Sequence, residues 1–210
     1  MSVIKNILRR LYFLFNYRKF NPKLDFNEIN KVLFIAHPDD ELIFFYKTLL
    51  ESKGWLVVCL TNGRSIIRSK EFLSVMHELN VSYKMLDFKD GIQKYFPQNK
   101  LKKAVYRILK KRNKWNMVAT HNYQGEYGHT QHIQLNKIVK DVYNGEYIYV
   151  PIYKDQLINK RYKLQDREIE SKVKLFKYNY KSQLEMLTFL EENFKYEAIV
   201  TEFIRRKSNE

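Results

Sequence analysis

Four of the five histidines in this 210-residue chain fall in two short segments. One reads His37-Pro38-Asp39-Asp40-Glu41, an imidazole and three carboxylates within five residues. The other reads His121-Asn122-Tyr123-Gln124-Gly125-Glu126-Tyr127-Gly128-His129-Thr130-Gln131-His132. Asp40 and Glu41 alone could simply complement the positive end of a following helix, worth about 0.3–1 kcal/mol each. That leaves His37 and Asp39 unexplained. Three carboxylates crowded at a buried strand end repel one another unless a cation neutralises them, and His37 with Asp40, at i and i+3, can converge on one ion across the turn that Pro38 helps to set. His129 and His132 repeat this spacing one helical turn apart on one face. Two imidazoles and one carboxylate around zinc leave a position for water, which marks a catalytic site more than a structural one. With Cys59 the single cysteine, a thiolate cluster is excluded.

We assign His37, Asp40 and His132 as ligands, which leaves Asp39 and His129 beside the water, although spacing alone does not choose His132 over His129. In that division the metal lowers the pKa of its water and polarises a carbonyl, and Asp39 takes the proton. His129, if protonated, steadies the oxyanion or protonates the departing amine. Fe(II) and Co(II) accept the same donors as Zn(II).

Positioning these residues requires strands that end beside one another. From residue 31 onward, short apolar runs alternate with amphipathic segments: strands over 32–36, 55–60, 83–88, 117–120 and 147–152, and helices over 41–52, 68–80, 100–112 and about 128–143. This alternation predicts an α/β fold, a mainly parallel sheet covered by helices on both faces. The periodicity predicts a further helix over 167–192 and a late edge strand over 198–204. In such sheets the ligand sits beyond the carboxyl ends of the strands, where both histidine segments begin. No linker divides residues 31–210, so they read as one domain, with 1–30 as an appended helix and linker.

The first 23 residues carry Lys5, Arg9, Arg10, Arg18, Lys19 and Lys23 and no acidic side chain, interleaved with Ile4, Ile7, Leu8, Leu11, Tyr12 and Phe15 at helical spacing. This is a basic amphipathic helix, which either lies on an anionic membrane or packs its apolar stripe on protein. Its apolar run is too short for a secretory signal. No stretch approaches the roughly 18 apolar residues of a membrane span. The expected location is therefore cytoplasmic, at the inner face of a membrane if the helix docks there. The net charge of +15 suggests an acidic partner. Lysine outnumbers arginine 27 to 11, however, a compositional bias that weakens the case for nucleic acid, which would also leave the His/Asp constellation unexplained.

Ala36-His37-Pro38-Asp39-Asp40-Glu41 together with Gly128-His129-Thr130-Gln131-His132 resembles the PIG-L-type (LmbE-like) metal-dependent de-N-acetylases, which act on N-acetylglucosaminyl groups. The match extends to Leu60-Thr61-Asn62-Gly63, to Arg68 and Glu71 as an R-x-x-E pair, and to Tyr180-Lys181-Ser182-Gln183. The resemblance implies a Rossmann-like three-layer fold and a zinc ion held by His37, Asp40 and His132. It implies Asp39 as general base, His129 as the charged transition-state partner, and an N-acetylated amino sugar as substrate. Where many bacterial relatives carry an aspartate before the second histidine, and the eukaryotic branch an asparagine, this chain carries Gln131, which can alter the pH profile and permits an inactive, metal-binding scaffold as the alternative. Arg68 is expected to grip a substrate oxygen, or to pair with Glu71. Asn62 is expected to bond substrate, or to serve an Asn-Gly turn. Glu126 and Tyr127 are expected to line the pocket, His121 to be a hydrogen-bonded wall residue, and His77 to be structural.

Overall fold

The computed structural model describes residues 2–91, 93–152 and 162–204. Six strands form one sheet: β1 (Lys31–Ile35), β2 (Trp55–Thr61), β3 (Ser82–Phe88), β4 (Met117–Ala119), β5 (Tyr147–Pro151) and β6 (Ile199–Phe203), in the order β3-β2-β1-β4-β5-β6. All neighbours pair in parallel except β5 with the edge strand β6. The period of two sorts the apolar side chains onto opposite faces. Leu33, Ile35, Val57 and Cys59 join a cluster under helices α3 (Asp40–Glu51), α4 (Ile66–Glu78) and α8 (Asp166–Asn179). Val32, Phe34, Leu56 and Val58 face α5 (Gln98–Leu109) and α7 (Thr130–Val142) on the other side. The fold is thus a three-layer α/β sandwich, as expected.

After β3 the chain crosses back to lay β4 on the far side of β1. The strand order therefore reverses between β1 and β4, where open sheets of this kind leave a crevice.

At the N-terminus, α1 (Ser2–Phe15) and α2 (Tyr17–Phe20) dock through aromatic residues. Phe20 is fully buried in the first cluster, Phe13 stacks on it at 5.6 Å, and the Tyr12 hydroxyl meets Ser69 Oγ at 3.1 Å. The apolar stripe of Ile4, Ile7, Leu8, Leu11, Leu14 and Phe15 stays exposed. The helix expected over 167–192 breaks into α8, a 3-10 turn Lys181–Gln183, α9 (Met186–Phe189) and α10 (Glu191–Lys195). It breaks at Tyr180, whose fully buried side chain bonds Glu41 in α3. A tertiary contact overrides the local period there.

Candidate metal centre

Because β1 and β4 are neighbours, the residues that follow them emerge together: His37 two positions beyond β1, His121 two beyond β4. The segment after His121 forms the short turn α6 (Gly125–Gly128) and then α7, with His129 as the N-cap of α7 and His132 in its first turn. Both stretches, some ninety residues apart, meet in one buried cluster.

Asp39 caps α3 from a backbone conformation that L-residues avoid, φ 109° and ψ −30°, which costs about 1–3 kcal/mol. Its carbonyl accepts the amides of Leu42 and Ile43, and its own amide donates to Glu41. Arg68 holds the carboxylate: Nη2 donates to Asp39 Oδ2 at 3.0 Å and to the Pro38 carbonyl, while Nη1 reaches Glu71 Oε2 at 3.4 Å. Glu71 in turn accepts the amide and hydroxyl of Ser182 at 2.8 and 2.7 Å. The R-x-x-E pair therefore ties the β1 turn to the C-terminal segment, and Arg68 touches Asp39 rather than standing alone in the crevice. Burial pushes Asp39 up to about 7 against the opposing pull of Arg68, which suits a proton acceptor near neutrality. Burial likewise pushes Glu41 up to about 8, and Tyr180 bonds it.

The imidazoles are oriented by groups behind them. Glu126, its side chain wholly buried, takes His132 Nδ1 at 2.6 Å and His121 Nδ1 at 3.1 Å on the same oxygen. Its other oxygen accepts the Asn122 amide at 2.9 Å. Gln131 donates its amide nitrogen to the Lys89 carbonyl at 2.8 Å, so its oxygen faces His37 Nε2 at 2.8 Å, with Asp90 Oδ1 at 3.2 Å from the same nitrogen. These acceptors place the protons on His132 Nδ1 and His37 Nε2. The two remaining nitrogens, His37 Nδ1 and His132 Nε2, then face each other at 3.1 Å with lone pairs on both. Asp40 closes the group, Oδ2 at 3.6 Å from His37 Nδ1 and Oδ1 at 3.6 Å from His132 Nε2. Two lone pairs and a carboxylate so close require a cation, and donors bound at 2.0–2.1 Å to a tetrahedral zinc stand about 3.3 Å apart.

Ligand atoms of His37, His129 and His132 lie within 4.8 Å of one another, as do those of Asp40, His121 and His132. The two sets share His132. His121 Nε2 accepts the Ala36 amide at 3.0 Å, so its outer lone pair is already engaged and it serves as a wall, as expected. Burial would lower His37, but Asp40 and Asp90 outweigh it and hold the ring well above 6.5. Without a metal, that proton is the cation between the rings. Burial together with His132 and His37 lowers His129 to about 3. Its Nδ1 accepts the Gln131 amide, leaving a neutral ring with Nε2–H to donate.

Of the expected pocket residues, Tyr127 is half-buried and stands edge-on to His129 and His132, at 5.8 and 5.7 Å between ring centres. Asn62, at φ 66°, donates to Asp90 at 2.8 Å. Glu126 sits behind the rings and meets them from the side away from the facing lone pairs. His77 packs on Tyr83 in the core. Asp90 escaped the sequence reading, although a carboxylate just past the end of β3 obeys the same strand-end rule that singled out His37.

A family model described as GlcNAc-PI de-N-acetylase (PIG-L) matches residues 32–143. An uncharacterized protein of Acanthamoeba polyphaga mimivirus is 37% identical over 175 residues, 72% of this chain and 76% of that protein. A probable N-acetylglucosaminyl-phosphatidylinositol de-N-acetylase of Dictyostelium discoideum is 27% identical over 127 residues, covering 53% of this chain and 49% of that protein, so this chain spans about half its length. The N,N'-diacetylchitobiose deacetylase of Pyrococcus horikoshii, solved with an inhibitor, shares the fold with a TM-score of 0.58 at 18% identity, over 96% of this chain and 92% of that one. With the family model spanning more than half of its length and a buried His/Asp cluster able to hold a metal, the chain belongs to the PIG-L family of de-N-acetylases.

Proposed function

We propose that this protein is a metal-dependent hydrolase that removes the acetyl group from an N-acetylated amino sugar, giving free amine and acetate. The observation that carries the reading is the facing pair of lone pairs on His37 Nδ1 and His132 Nε2, closed by Asp40. These three residues are the proposed ligands, and zinc is the ion that best suits two imidazoles and a carboxylate, with Fe(II) and Co(II) accepting the same donors. Zinc in that position supplies an acidified water and a polarised acetyl carbonyl. Asp39, held by Arg68, takes the proton of the attacking water. His129 donates Nε2–H to the oxyanion as a neutral ring, which replaces the charged partner expected from the resemblance. Once a proton is on Asp39, a group with its pKa near 7 can pass it to the departing amine. Tyr127 and Asn62 border the sugar, and Arg68 acts through Asp39. The test is metal-reconstituted protein incubated with a panel of N-acetylhexosaminides while free amine is assayed. Asp39→Asn should keep its metal and lose about 10²–10⁴-fold in turnover. Near-normal turnover in that variant contradicts the assignment.

A second observation bears on where the substrate is met. The apolar stripe of α1 is exposed and flanked by Lys5, Arg10, Arg18 and Lys19, so an anionic membrane surface is the proposed occupant; a second copy would set like charges together. Among the described residues no helix is long and apolar enough to cross a membrane. Vesicle sedimentation should weaken in Leu8→Gln/Leu11→Gln, and unchanged binding contradicts the contact.

A further inference from the structure

A cavity of about 670 Å³ opens between α1 and the carboxyl ends of β2 and β3. Arg9 and Arg10 of α1 line one side, and Arg64, Lys89, Asn62 and Asp90 the other. Two of these groups are already committed: Arg64 pairs with Asp87, and Asp90 takes Asn62 and His37. Among the described residues Arg9, Arg10 and Lys89 have no ion pair, so three exposed cations face one space without compensation. The cavity borders the metal centre, because Asp90 lies in its wall and stands 3.2 Å from His37 Nε2.

The helix that brings two of these cations is seated by packing. Gly63 lies where a Cβ would come 2.5 Å from the Phe13 ring and 2.7 Å from the Leu86 carbonyl, so only glycine lets α1 close down on the end of β2. Phe13 and Tyr12 then fix its face on Phe20 and Ser69. This helix lies outside residues 32–143, so the cavity adds something that the family core lacks.

We infer that this groove binds the phosphate-bearing part of the substrate, a phosphomonoester, phosphodiester or diphosphate joined to the sugar whose acetamido group enters the metal centre. Guanidinium forks match phosphate oxygens in pairs, and three cations suit a group of charge about −2. The volume is that of an ordinary small-molecule subsite. The inference rests on the hydrolase reading and adds the charge of its substrate.

Glucose 1-phosphate, which has no acetyl group to lose, separates the two. In titration calorimetry on the full metal-loaded chain it should bind, while methyl glucoside should not. Its affinity should fall about tenfold or more in Arg9→Gln/Arg10→Gln and in Lys89→Gln, and hold in the exposed control Lys137→Gln, as expected when charge-assisted bonds are lost. No binding, or equal binding by all four proteins, overturns the groove. In parallel, amine release is compared for N-acetylglucosamine 1-phosphate and methyl N-acetylglucosaminide. The preference for the phosphorylated sugar, a ratio of kcat/KM, should fall about tenfold in the double variant. Hydrolysis of both without preference sinks the groove and spares the hydrolase, whereas phosphate binding without any hydrolysis sinks the hydrolase. Phosphatidylcholine vesicles with and without phosphatidylinositol assign the source. Binding lost in Lys89→Gln, which is off the helix, places a lipid headgroup in the groove; binding confined to glucose 1-phosphate makes the ligand a soluble glycosyl phosphate.

Discussion

Two clusters of charge are buried in this molecule, and they are built in opposite ways. Under the first face of the sheet, Lys172 donates all three of its protons: to the Ile43 carbonyl at 2.8 Å, the Asn193 carbonyl at 2.6 Å and Glu197 at 3.4 Å. Glu197 is filled as completely, by the amides of Lys47 and Thr48 and the Thr48 hydroxyl. Nothing is left over, and burial can only lower the lysine against its partner's pull. At the carboxyl end of β1 and β4 every outer group is equally well satisfied, yet the centre is not: His37 and His132 turn lone pairs on each other, with Asp40 beside them. A saturated cluster clamps α8 and the loop before β6 to α3. An unsaturated one, with its periphery held fixed, is a receptor for an ion.

Removing one member of each cluster should break different properties. The largest effect on folding belongs to Lys172→Met, which strands Glu197 and should cost about 3–5 kcal/mol in denaturant unfolding, while metal stoichiometry in the folded protein is unchanged. Lys172→Met with Glu197→Gln should recover much of that loss. Stability equal to the parent in the single variant would contradict the structural reading of the pair.

Glu126→Gln sharpens the other side of the contrast. The amide has one acceptor oxygen where the carboxylate serves two imidazoles and the Asn122 amide, so the rings lose their fixed tautomers. Metal affinity should fall about 10–100-fold, measured by competition with a chelating dye, with the fold intact. An affinity within twofold of the parent would remove Glu126 from the support of the site.

The smallest effect is in pH. His37 is held above 6.5 in the folded, metal-free protein, so its contribution to stability is fully present below that ordinary value and is lost as pH rises through the folded one. Metal affinity runs the other way, since an ion at Nδ1 must displace that proton, and it should rise up to about tenfold per pH unit until His37 titrates. Asp90→Asn removes one of the carboxylates that raise His37 and should flatten this slope at its upper end. A slope as steep in that variant at every pH would contradict the role given to Asp90.

Much of the site was legible because the strands are short apolar runs whose ends the period exposes. Parallel topology then brings the ends of β1 and β4 together, which is why His37, Asp40 and His132 could be grouped across ninety-odd residues. The supporting groups were harder to read. Gln131 was expected to tune a histidine beside it and instead grips His37, because the Lys89 carbonyl turns its amide. Glu126 looked like a pocket residue, but the glycine turn of α6 swings it behind the rings, at a φ of 56° that no sequence period signals. Tyr180 breaks a helix that its own segment favours, through a bond to Glu41 that depends on how α8 packs over α3.

The most direct measurement is calorimetric titration of the metal-stripped chain with zinc near neutral pH, in two buffers of different ionisation enthalpy. One ion per chain should bind with release of a proton, and binding should collapse in both His37→Ala and His132→Ala. Binding that is absent in the parent chain, or undiminished in His132→Ala, would contradict the facing lone pairs as the place where the ion is held.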